Sequence, residues 1–204
     1  MKRNVLLFGG AFDPIHYGHL HGMAHALKYT KRFHEGWFLP CFQSAWNDKT
    51  LSTADHRMNM INLALDGFTE TSGLACCGYE IENELTGGTI DIVQSILADL
   101  GPMYDFHFLI SMEHANQIHL WKNGPQLTKD LSFVTIHRAG VLPDMKVDWY
   151  RKEPHIYIEE PFTGSLISST MVRRQVLQKG HSELVPPAVM EYIKEEGLYR
   201  AIAI

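Results

Sequence analysis

The stretch LLFGGAFDPIHYGHLHGMAHAL, residues 6–27, predicts a β-strand, a turn and an α-helix in succession. Its apolar start is typical of a buried strand, and Gly9 and Gly10 allow another molecule to approach the backbone at the strand's end. Pro14 fixes its own φ angle and keeps the preceding residue out of the helical region, so we expect the helix to begin near His19. A strand end beside a helix N-terminus favours an anion, phosphate above all.

The same alternation of strands and helices continues along the chain. Short apolar runs rich in β-branched and aromatic residues predict strands at residues 5–8, 37–39, 74–81, 106–110, 133–136 and Ile156–Ile158. Apolar positions at helical spacing lie between them, in residues 20–27, 58–65 and 93–100. Because parallel strands need such crossover helices, the pattern predicts an α/β fold, a Rossmann-like doubly wound parallel sheet with helices on both faces.

No repeat or low-complexity linker divides the chain, so we expect a single domain over residues 1–204. Residues 1–160 are expected to form the α/β core. Residues 165–204 predict a C-terminal extension of two helices, the first with a Ser/Thr start and a glycine stop, the second with prolines in its opening turn. Segments 121–130 and 140–154 contain clustered Gly, Pro and charged residues, which predicts irregular loops facing the substrate.

Composition argues against two classes of partner. Eighteen basic and twenty-three acidic residues give a net charge of −5, so no general positive field exists to bind nucleic acid. The N-terminal apolar run is too short for a signal sequence or a membrane span, which predicts a cytoplasmic location and no membrane partner.

Cys41, Cys76 and Cys77 form neither an even set nor a CxxC pair and are expected to be reduced. The sequence leaves the oligomeric state open between a monomer and a homo-oligomer.

The histidines after the glycine pair allow three interpretations on residue type and spacing alone. His16 and His19 could donate hydrogen bonds to an anion at the helix N-terminus. Either this pair or His21 and His25 could bind zinc, although the sequence shows neither the glutamate of an HExxH motif nor a thiolate pair nearby. All of them could also be ordinary surface or core histidines.

The segment GGAFDPIHYGH resembles the GGxFDPxHxGH motif of the nucleotidyltransferase superfamily that transfers adenylyl or cytidylyl groups. The resemblance implies that His16 and His19 bind a nucleoside triphosphate and stabilise its transferring α-phosphate. It also implies that the triphosphate contacts Gly9, Gly10 and Phe12.

A second stretch, ISSTMVRR at residues 167–174, has the composition of a capped helix start followed by arginine. It resembles the ISSTxIR motif of the same superfamily, with Val172 in place of isoleucine. The resemblance implies contacts to the ATP phosphates from Ile167, Ser168, Ser169, Thr170 and Arg173.

Four further segments resemble the nicotinamide/nicotinate mononucleotide adenylyltransferases: KTLSTADHRMNM, GGTIDIV, HLWKN and LVPPAVMEYIKEEGLY. In that family's pattern Lys49 and Arg138 face ATP. The resemblance assigns the mononucleotide to Gly10, Ala11, Thr89, Glu113 and Trp121, with the Trp121 indole stacked on the pyridine ring. The closing helix is expected to contribute only stability.

The chain departs from the family's pattern at a strand end. Ser111, Met112 and Glu113 stand where the family commonly has Gly-x-Asp, and Ile92 replaces a second threonine. Glu113 would keep the negative charge that holds a ribose hydroxyl, one methylene further out. Ser111, however, brings a side chain to a place where close backbone approach was expected.

The implied reaction is attack by the phosphate of nicotinamide or nicotinate mononucleotide on the α-phosphorus of ATP. It would give NAD or its deamido form and pyrophosphate, with Mg²⁺ bound through the ATP phosphates and no metal held by protein ligands. The implied catalytic residues are His16, His19, Lys49 and Arg173. Two alternatives remain: another transferase of the superfamily, such as pantetheine-phosphate adenylyltransferase, and a non-catalytic NAD-binding homologue. The choice between amide and acid is open.

Overall fold

A computed structural model describes residues 2–43, 51–137, 140, 141, 143, 144, 146–162, 164 and 166–200. Within them, six parallel strands form one sheet in the order β3-β2-β1-β4-β5-β6. The strands are β1 (Arg3–Gly10), β2 (Glu35–Pro40), β3 (Leu74–Cys76), β4 (Tyr104–Ser111), β5 (Ser132–Ile136) and β6 (Ile156–Ile158). The helices are α1 (Tyr17–Thr30), α2 (Ala54–Asp66), α3 (Tyr79–Glu82), α4 (Thr89–Asp99), α5 (Met112–Gln117), α6 (Gly124–Asp130), α7 (Ser169–Lys179) and α8 (Pro187–Glu195).

The sheet is doubly wound, as the sequence predicts. The chain runs outward from β1 through β2 to β3 on one side, and from β4 through β5 to β6 on the other. The crossovers therefore diverge between β1 and β4, which pair directly in parallel. In open α/β sheets ligands bind beyond the carboxyl ends of the strands at such a switch point.

Strand β1 is buried on both faces because it contributes to two separate cores. Leu6 packs into the first core, together with residues of α1, α2, α7 and α8. Val5 and Leu7 pack into the second core, with residues of α4, α5 and α6. All three side chains are fully buried, which explains why the strand reads as a continuous apolar run rather than an alternating one. The predicted C-terminal helices pack on the same face as α1.

Helix α1 begins slightly earlier than the sequence suggests. His16 is its N-cap residue in an extended conformation, and the main-chain oxygen of His16 accepts from the N–H groups of His19 and Leu20. The histidine at position 19 is therefore in the first turn rather than at the start. Its place beside the positive end of the helix is the same in either case.

The strand predicted over residues 74–81 is wrong in its second half. Only Leu74–Cys76 pair with β2, and the short helix α3 follows at Tyr79–Glu82. The chain turns at Gly78, whose carbonyl oxygen accepts from the Glu82 N–H. The apolar run spans both elements because Leu74 and Cys76 pack against the first core, whereas Cys77 and Tyr79 pack against the second.

The loop predicted over residues 121–130 also needs correction, since α6 occupies Gly124–Asp130. Pro125 lies in the first turn of α6, where its missing N–H is harmless, and Leu127 is fully buried in the second core. The segment 140–154 holds a 3₁₀ turn, Trp149–Arg151. In the part of the chain that the structure describes, no helix combines the length and the apolar character needed to cross a bilayer.

Candidate active site

The carboxyl end of β1 provides open space at the centre of the sheet. A Cβ atom added to Gly9 would meet nothing within 4 Å, whereas one added to Gly10 would lie 3.2 Å from the Phe12 ring. Gly9 therefore leaves room for a ligand. Gly10 is required chiefly so that Phe12, which is 2% exposed, can pack beneath the strand end. A ligand would meet the backbone of Phe12 rather than its ring.

His16 and His19 form a single unit at the N-terminus of α1. Their rings are stacked, with centroids 3.6 Å apart and planes inclined by 19°. His16 is 3% exposed, and the Phe12 ring lies edge-on against His19 at 5.0 Å. The helix N-terminus and the two imidazoles create a preorganised set of donors for an anion.

The stacking also argues against a zinc site at this pair. The lone pairs of an imidazole lie in the ring plane, so two nearly parallel stacked rings do not direct their nitrogens at one ion. The other pair has different partners: His21 Nε2 lies 3.3 Å from Glu70, and His25 Nε2 lies 3.1 Å from the Glu160 carbonyl oxygen. Among the described residues, no group of three or more His, Cys, Asp or Glu could hold a metal ion.

Helix α7 brings the second motif against the turn between β1 and α1, residues 11–16. Ser168 caps α7 by accepting from the Met171 N–H at 3.3 Å. The Ser169 hydroxyl donates to the main-chain oxygen of Pro14 at 2.9 Å, across 155 residues of sequence. Arg173 donates through Nη1 to the main-chain oxygen of Asp13 at 2.6 Å.

Arg173 therefore has a structural partner as well as a place near the proposed phosphates. Its Nη2 also donates to the Thr170 hydroxyl at 3.3 Å, which holds the guanidinium along the first turn of α7. Ile167 directly precedes the cap residue Ser168 and is half-buried. The two motifs singled out in the sequence thus adjoin in space at one end of the sheet.

Three of the residues expected to bind the mononucleotide, Thr89, Glu113 and Trp121, belong to segments that pack on the other face of the sheet. Thr89 is the first residue of α4, and Asp91 accepts from the Gly88 N–H and from Lys122 Nζ, both at 2.8 Å. Because Lys122 directly follows Trp121, this ion pair ties the tryptophan segment to the start of α4. The structure thus brings the segments of Thr89 and Trp121 together.

The unusual end of β4 forms the start of helix α5. Ser111 is the N-cap residue, and its hydroxyl lies 3.4 Å from Nδ1 of His114. Met112 is fully buried in the second core, whereas Glu113 is half-buried in the first turn of the helix. Glu113 therefore keeps a partly exposed carboxylate at this strand end. The His114 ring lies edge-on to Trp121, with centroids 5.7 Å apart.

Two of the expected ATP ligands, Lys49 and Arg138, lie outside the described residues. The other predicted residues lie at the ends of β1 and β4 and at the starts of α1, α4 and α7, except Trp121, which lies shortly before α6. Ala11 follows β1 directly and is half-buried.

Sequence reasoning missed the importance of Arg57, which is 1% exposed. Its guanidinium donates to the carbonyl oxygens of Ala11 at 3.1 Å, Ser52 at 3.0 Å and Phe42 at 3.4 Å. It therefore joins the 11–16 turn to the end of β2 and the start of α2. The HR pair in the segment KTLSTADHRMNM was the available signal for this arginine. Its partners Ala11 and Phe42, however, are distant in sequence.

Glu80, on helix α3, holds the same segment as Arg57, at Phe42. Its carboxylate accepts from the Phe42 N–H at 3.0 Å. Burial raises the pKa of Glu80 to about 7, and the Phe42 N–H and the positive charge of Arg57 oppose that rise. Phe42 is thus held through its N–H by Glu80 and through its carbonyl by Arg57.

Comparisons with known proteins cover nearly the whole chain and agree on one family. Residues 7–175 match the family model described as cytidylyltransferase-like. A relative from Halalkalibacterium halodurans, named "Probable nicotinate-nucleotide adenylyltransferase", is 32% identical over 98% of this chain and 92% of its own length. A relative of the same name from Oceanobacillus iheyensis is 29% identical over 97% of both chains.

Solved structures agree in fold. Nicotinic acid mononucleotide adenylyltransferase of Plasmodium falciparum complexed with APC has a TM-score of 0.79 and 25% identity, covering 97% of both chains. The same enzyme complexed with NaAD has a TM-score of 0.82 and 24% identity, also over 97% of both. Sequence motifs, sheet topology and relatives converge, and the chain belongs to the cytidylyltransferase-like family, among the nicotinate-nucleotide adenylyltransferases.

Proposed function

We propose that the protein transfers the adenylyl group of ATP to the phosphate of nicotinate mononucleotide, giving deamido-NAD and pyrophosphate. The observation that carries this proposal is the stacked His16–His19 pair at the N-terminus of α1, between the open end of β1 and the start of α7. Nicotinamide mononucleotide would react in the same way to give NAD. The names of the relatives support the acid as the preferred acceptor.

The chemistry is a direct in-line displacement. An oxygen of the mononucleotide phosphate forms a bond to the α-phosphorus of ATP. The bond from that phosphorus to the bridging oxygen breaks, and its electron pair leaves on pyrophosphate. The nucleophile is already an anion, so the protein needs no strong base and no covalent intermediate; its task is to align two polyanions and neutralise growing charge.

The ATP site in this proposal is formed by the β1 end, the α1 start and the α7 start. His16 and His19 stabilise charge on the α-phosphate, and Arg173 adds a cation beside the α7 N-terminus. Lys49 and Arg138 are proposed for the same task on the sequence resemblance alone. Mg²⁺ would enter as part of the substrate, spanning the triphosphate. The remaining proposed ATP contacts are Gly9, Gly10, Phe12, Ile167, Ser168, Ser169 and Thr170.

The acceptor site is proposed on the opposite face. Trp121 would stack on the pyridine ring, Thr89 would contact the mononucleotide from the start of α4, and Glu113 would hold a ribose hydroxyl. Gly10 and Ala11 would lie beneath the reacting phosphate. The same proposal includes a single domain over residues 1–204 that acts in the cytoplasm. In it, the helices of residues 165–204 complete the ATP site.

The proposal is tested by pyrophosphate release from MgATP with three acceptors supplied separately: nicotinate mononucleotide, nicotinamide mononucleotide and pantetheine phosphate. We expect release with nicotinate mononucleotide, and deamido-NAD identified by mass. Turnover with pantetheine phosphate alone would assign the chain to another transferase. Binding of the dinucleotide without release from any acceptor would indicate a non-catalytic homologue.

A further inference from the structure

The 11–16 turn contains a carboxylate that is held from distant parts of the chain. Asp13 is 3% exposed. Its Oδ1 accepts from the Tyr199 hydroxyl at 2.5 Å, and its Oδ2 accepts from the main-chain N–H of Ser52 at 3.2 Å. With the Arg173 bond to its main-chain oxygen, Asp13 is fixed by three segments, none of which belongs to β1 or α1.

Tyr199 reaches the turn from the end of the chain beyond α8. Gly197 reverses the chain direction at a φ of 65°, and the Leu198 N–H donates to the Ile193 carbonyl oxygen at 3.0 Å. Tyr199 itself has a φ of 59°, a left-handed conformation that residues other than glycine rarely adopt. Such outliers persist where surrounding contacts impose them, and they concentrate at functional sites.

The hydroxyl of Tyr199 is a well-defined donor. The Ser52 hydroxyl donates to the phenol oxygen at 3.2 Å, which leaves the phenol proton directed at Asp13. Burial and the neighbouring carboxylate raise the pKa of Tyr199 above its ordinary value, so the donor stays protonated. A bond from a hydroxyl to a buried carboxylate is charge-assisted and stronger than a neutral one.

We propose that Tyr199 is a positioning residue for adenylyl transfer, acting through Asp13 on the orientation of His16 and His19. This inference rests on the proposed function. Asp13 lies three residues before His16, which is the N-cap residue of α1 and stacks on His19. A displacement of the turn therefore moves both imidazoles relative to the α-phosphate. The closing segment affects the rate of the reaction as well as stability.

The test compares Tyr199→Phe with a matched control, Tyr192→Phe. Tyr192 lies in α8, and its hydroxyl contacts α2 through His56 Nδ1 at 2.8 Å and Asn59 Nδ2 at 3.1 Å. Both variants remove the phenol hydroxyl of a half-buried tyrosine that joins the C-terminal region to the rest of the chain. Only the first removes a bond to the 11–16 turn.

We expect Tyr199→Phe to lower kcat roughly tenfold or more, since small misplacements of catalytic groups have effects of this size. KM for ATP and for the mononucleotide should stay within about twofold, because the contacts that bind the substrates remain. Tyr192→Phe should keep the kcat of the unchanged protein. Equal kcat values in the two variants, or a loss that follows the folded fraction measured by circular dichroism, would overturn the inference.

A second readout separates this inference from the proposed function. In ¹H–¹⁵N spectra of the imidazole nitrogens, Tyr199→Phe should shift the His16 and His19 signals, whereas Tyr192→Phe should leave them in place. This measurement needs no turnover, so it remains decisive if the unchanged protein fails to release pyrophosphate. Unshifted histidine signals in Tyr199→Phe would show that the tyrosine does not position them.

Discussion

At the scale of single residues, the site uses side chains and main-chain groups for more than one purpose. The main-chain oxygen of His16 accepts the first hydrogen bonds of α1, while its ring stacks on His19. Ser169 and Arg173 donate to the carbonyl oxygens of the 11–16 turn, although the sequence motif suggests only phosphate contacts. Groups that are ordered before the substrate arrives cost little reorganisation during the reaction, which is the basis of electrostatic catalysis.

The first residue-scale prediction concerns His19. His19→Ala should lower kcat by about a hundredfold or more, because one preorganised donor to the transition state is lost. Pyrophosphate release under saturating substrates measures the effect. His25→Ala is the matched control, since His25 is in the same helix with its Nε2 near the Glu160 carbonyl oxygen. A folded His19→Ala protein with normal kcat would contradict the role given to this histidine.

The second residue-scale prediction concerns Trp121. Trp121→Ala should raise KM for the mononucleotide about three- to tenfold, which corresponds to the loss of one aromatic stacking contact. KM for ATP should not change, because ATP is proposed to bind on the other face of the sheet. Trp121→Phe should recover most of the affinity. If KM for the mononucleotide is unaltered in the alanine variant, the indole only packs against the second core.

At the scale of elements, the site is assembled from ends: the carboxyl ends of β1 and β4 and the N-termini of α1, α4 and α7. Each helix start is fixed by a defined group. Ser168 caps α7, the Asp91 side chain accepts from the N–H of Gly88 at the start of α4, and the main-chain oxygen of His16 begins α1. Positive helix ends on both faces at this edge of the sheet suit two substrates that both carry phosphate.

The element-scale prediction concerns the cap of α7. Ser168→Ala should reduce the free energy of unfolding by about 1 kcal/mol through loss of the cap. It should also raise KM for ATP, because the start of α7 would fray beside the triphosphate. Urea denaturation and steady-state kinetics measure the two effects. Thr53→Ala removes the cap of α2, where the hydroxyl accepts from the His56 N–H, and should lower stability without changing KM for ATP. The same KM change in both variants would contradict the local effect.

At the scale of the whole molecule, two buried groups make stability depend on pH in opposite directions. His107 on β4 is 2% exposed, and neither ring nitrogen has a hydrogen-bond partner among the described residues. Burial, together with the positive charge of Arg32, lowers the pKa of His107 below its ordinary 6.5. Burial raises the pKa of Glu80 from 4.5 to about 7.

The whole-molecule prediction follows from which state binds more protons. Below pH 6.5 the unfolded chain protonates position 107 before the folded protein does, so His107 makes stability fall as the pH falls. Glu80 binds its proton more tightly when folded, so it makes stability fall as the pH rises from 4.5 to about 7.

Melting temperatures measured between pH 5 and pH 8 test these signs. His107→Leu should make the protein relatively more stable at the acid end, and Glu80→Gln should make it relatively more stable at the neutral end. The unchanged protein is the reference for both. If the two variants shift the pH profile in the same direction, at least one of the burial arguments is wrong.

The sequence predicted the fold class and the adjoining of the two motifs, whereas its errors lie where an apolar run covers more than one element. Residues 74–81 read as one strand because Cys76, Cys77 and Ile81 are all apolar, yet β3 stops at Cys76 and the chain turns at Gly78. Gly124 and Pro125 suggested a loop, but proline is tolerated in the first turn of a helix, and burial of Leu127 stabilises α6.

The sequence by itself determined the glycine-ended strand, the helix start with its two histidines and the capped start of α7, because these features depend on residues that are neighbours in the chain. Only the tertiary structure decided that Tyr199 bonds to Asp13, 186 residues away, and that Arg57 joins Ala11 to Phe42. Such partners are set by how the helices pack on the sheet. No local pattern of hydropathy or turn chemistry carries that information, since Tyr199, Asp13 and Arg57 are each ordinary polar residues in their own segments and two of the acceptors are main-chain carbonyl groups.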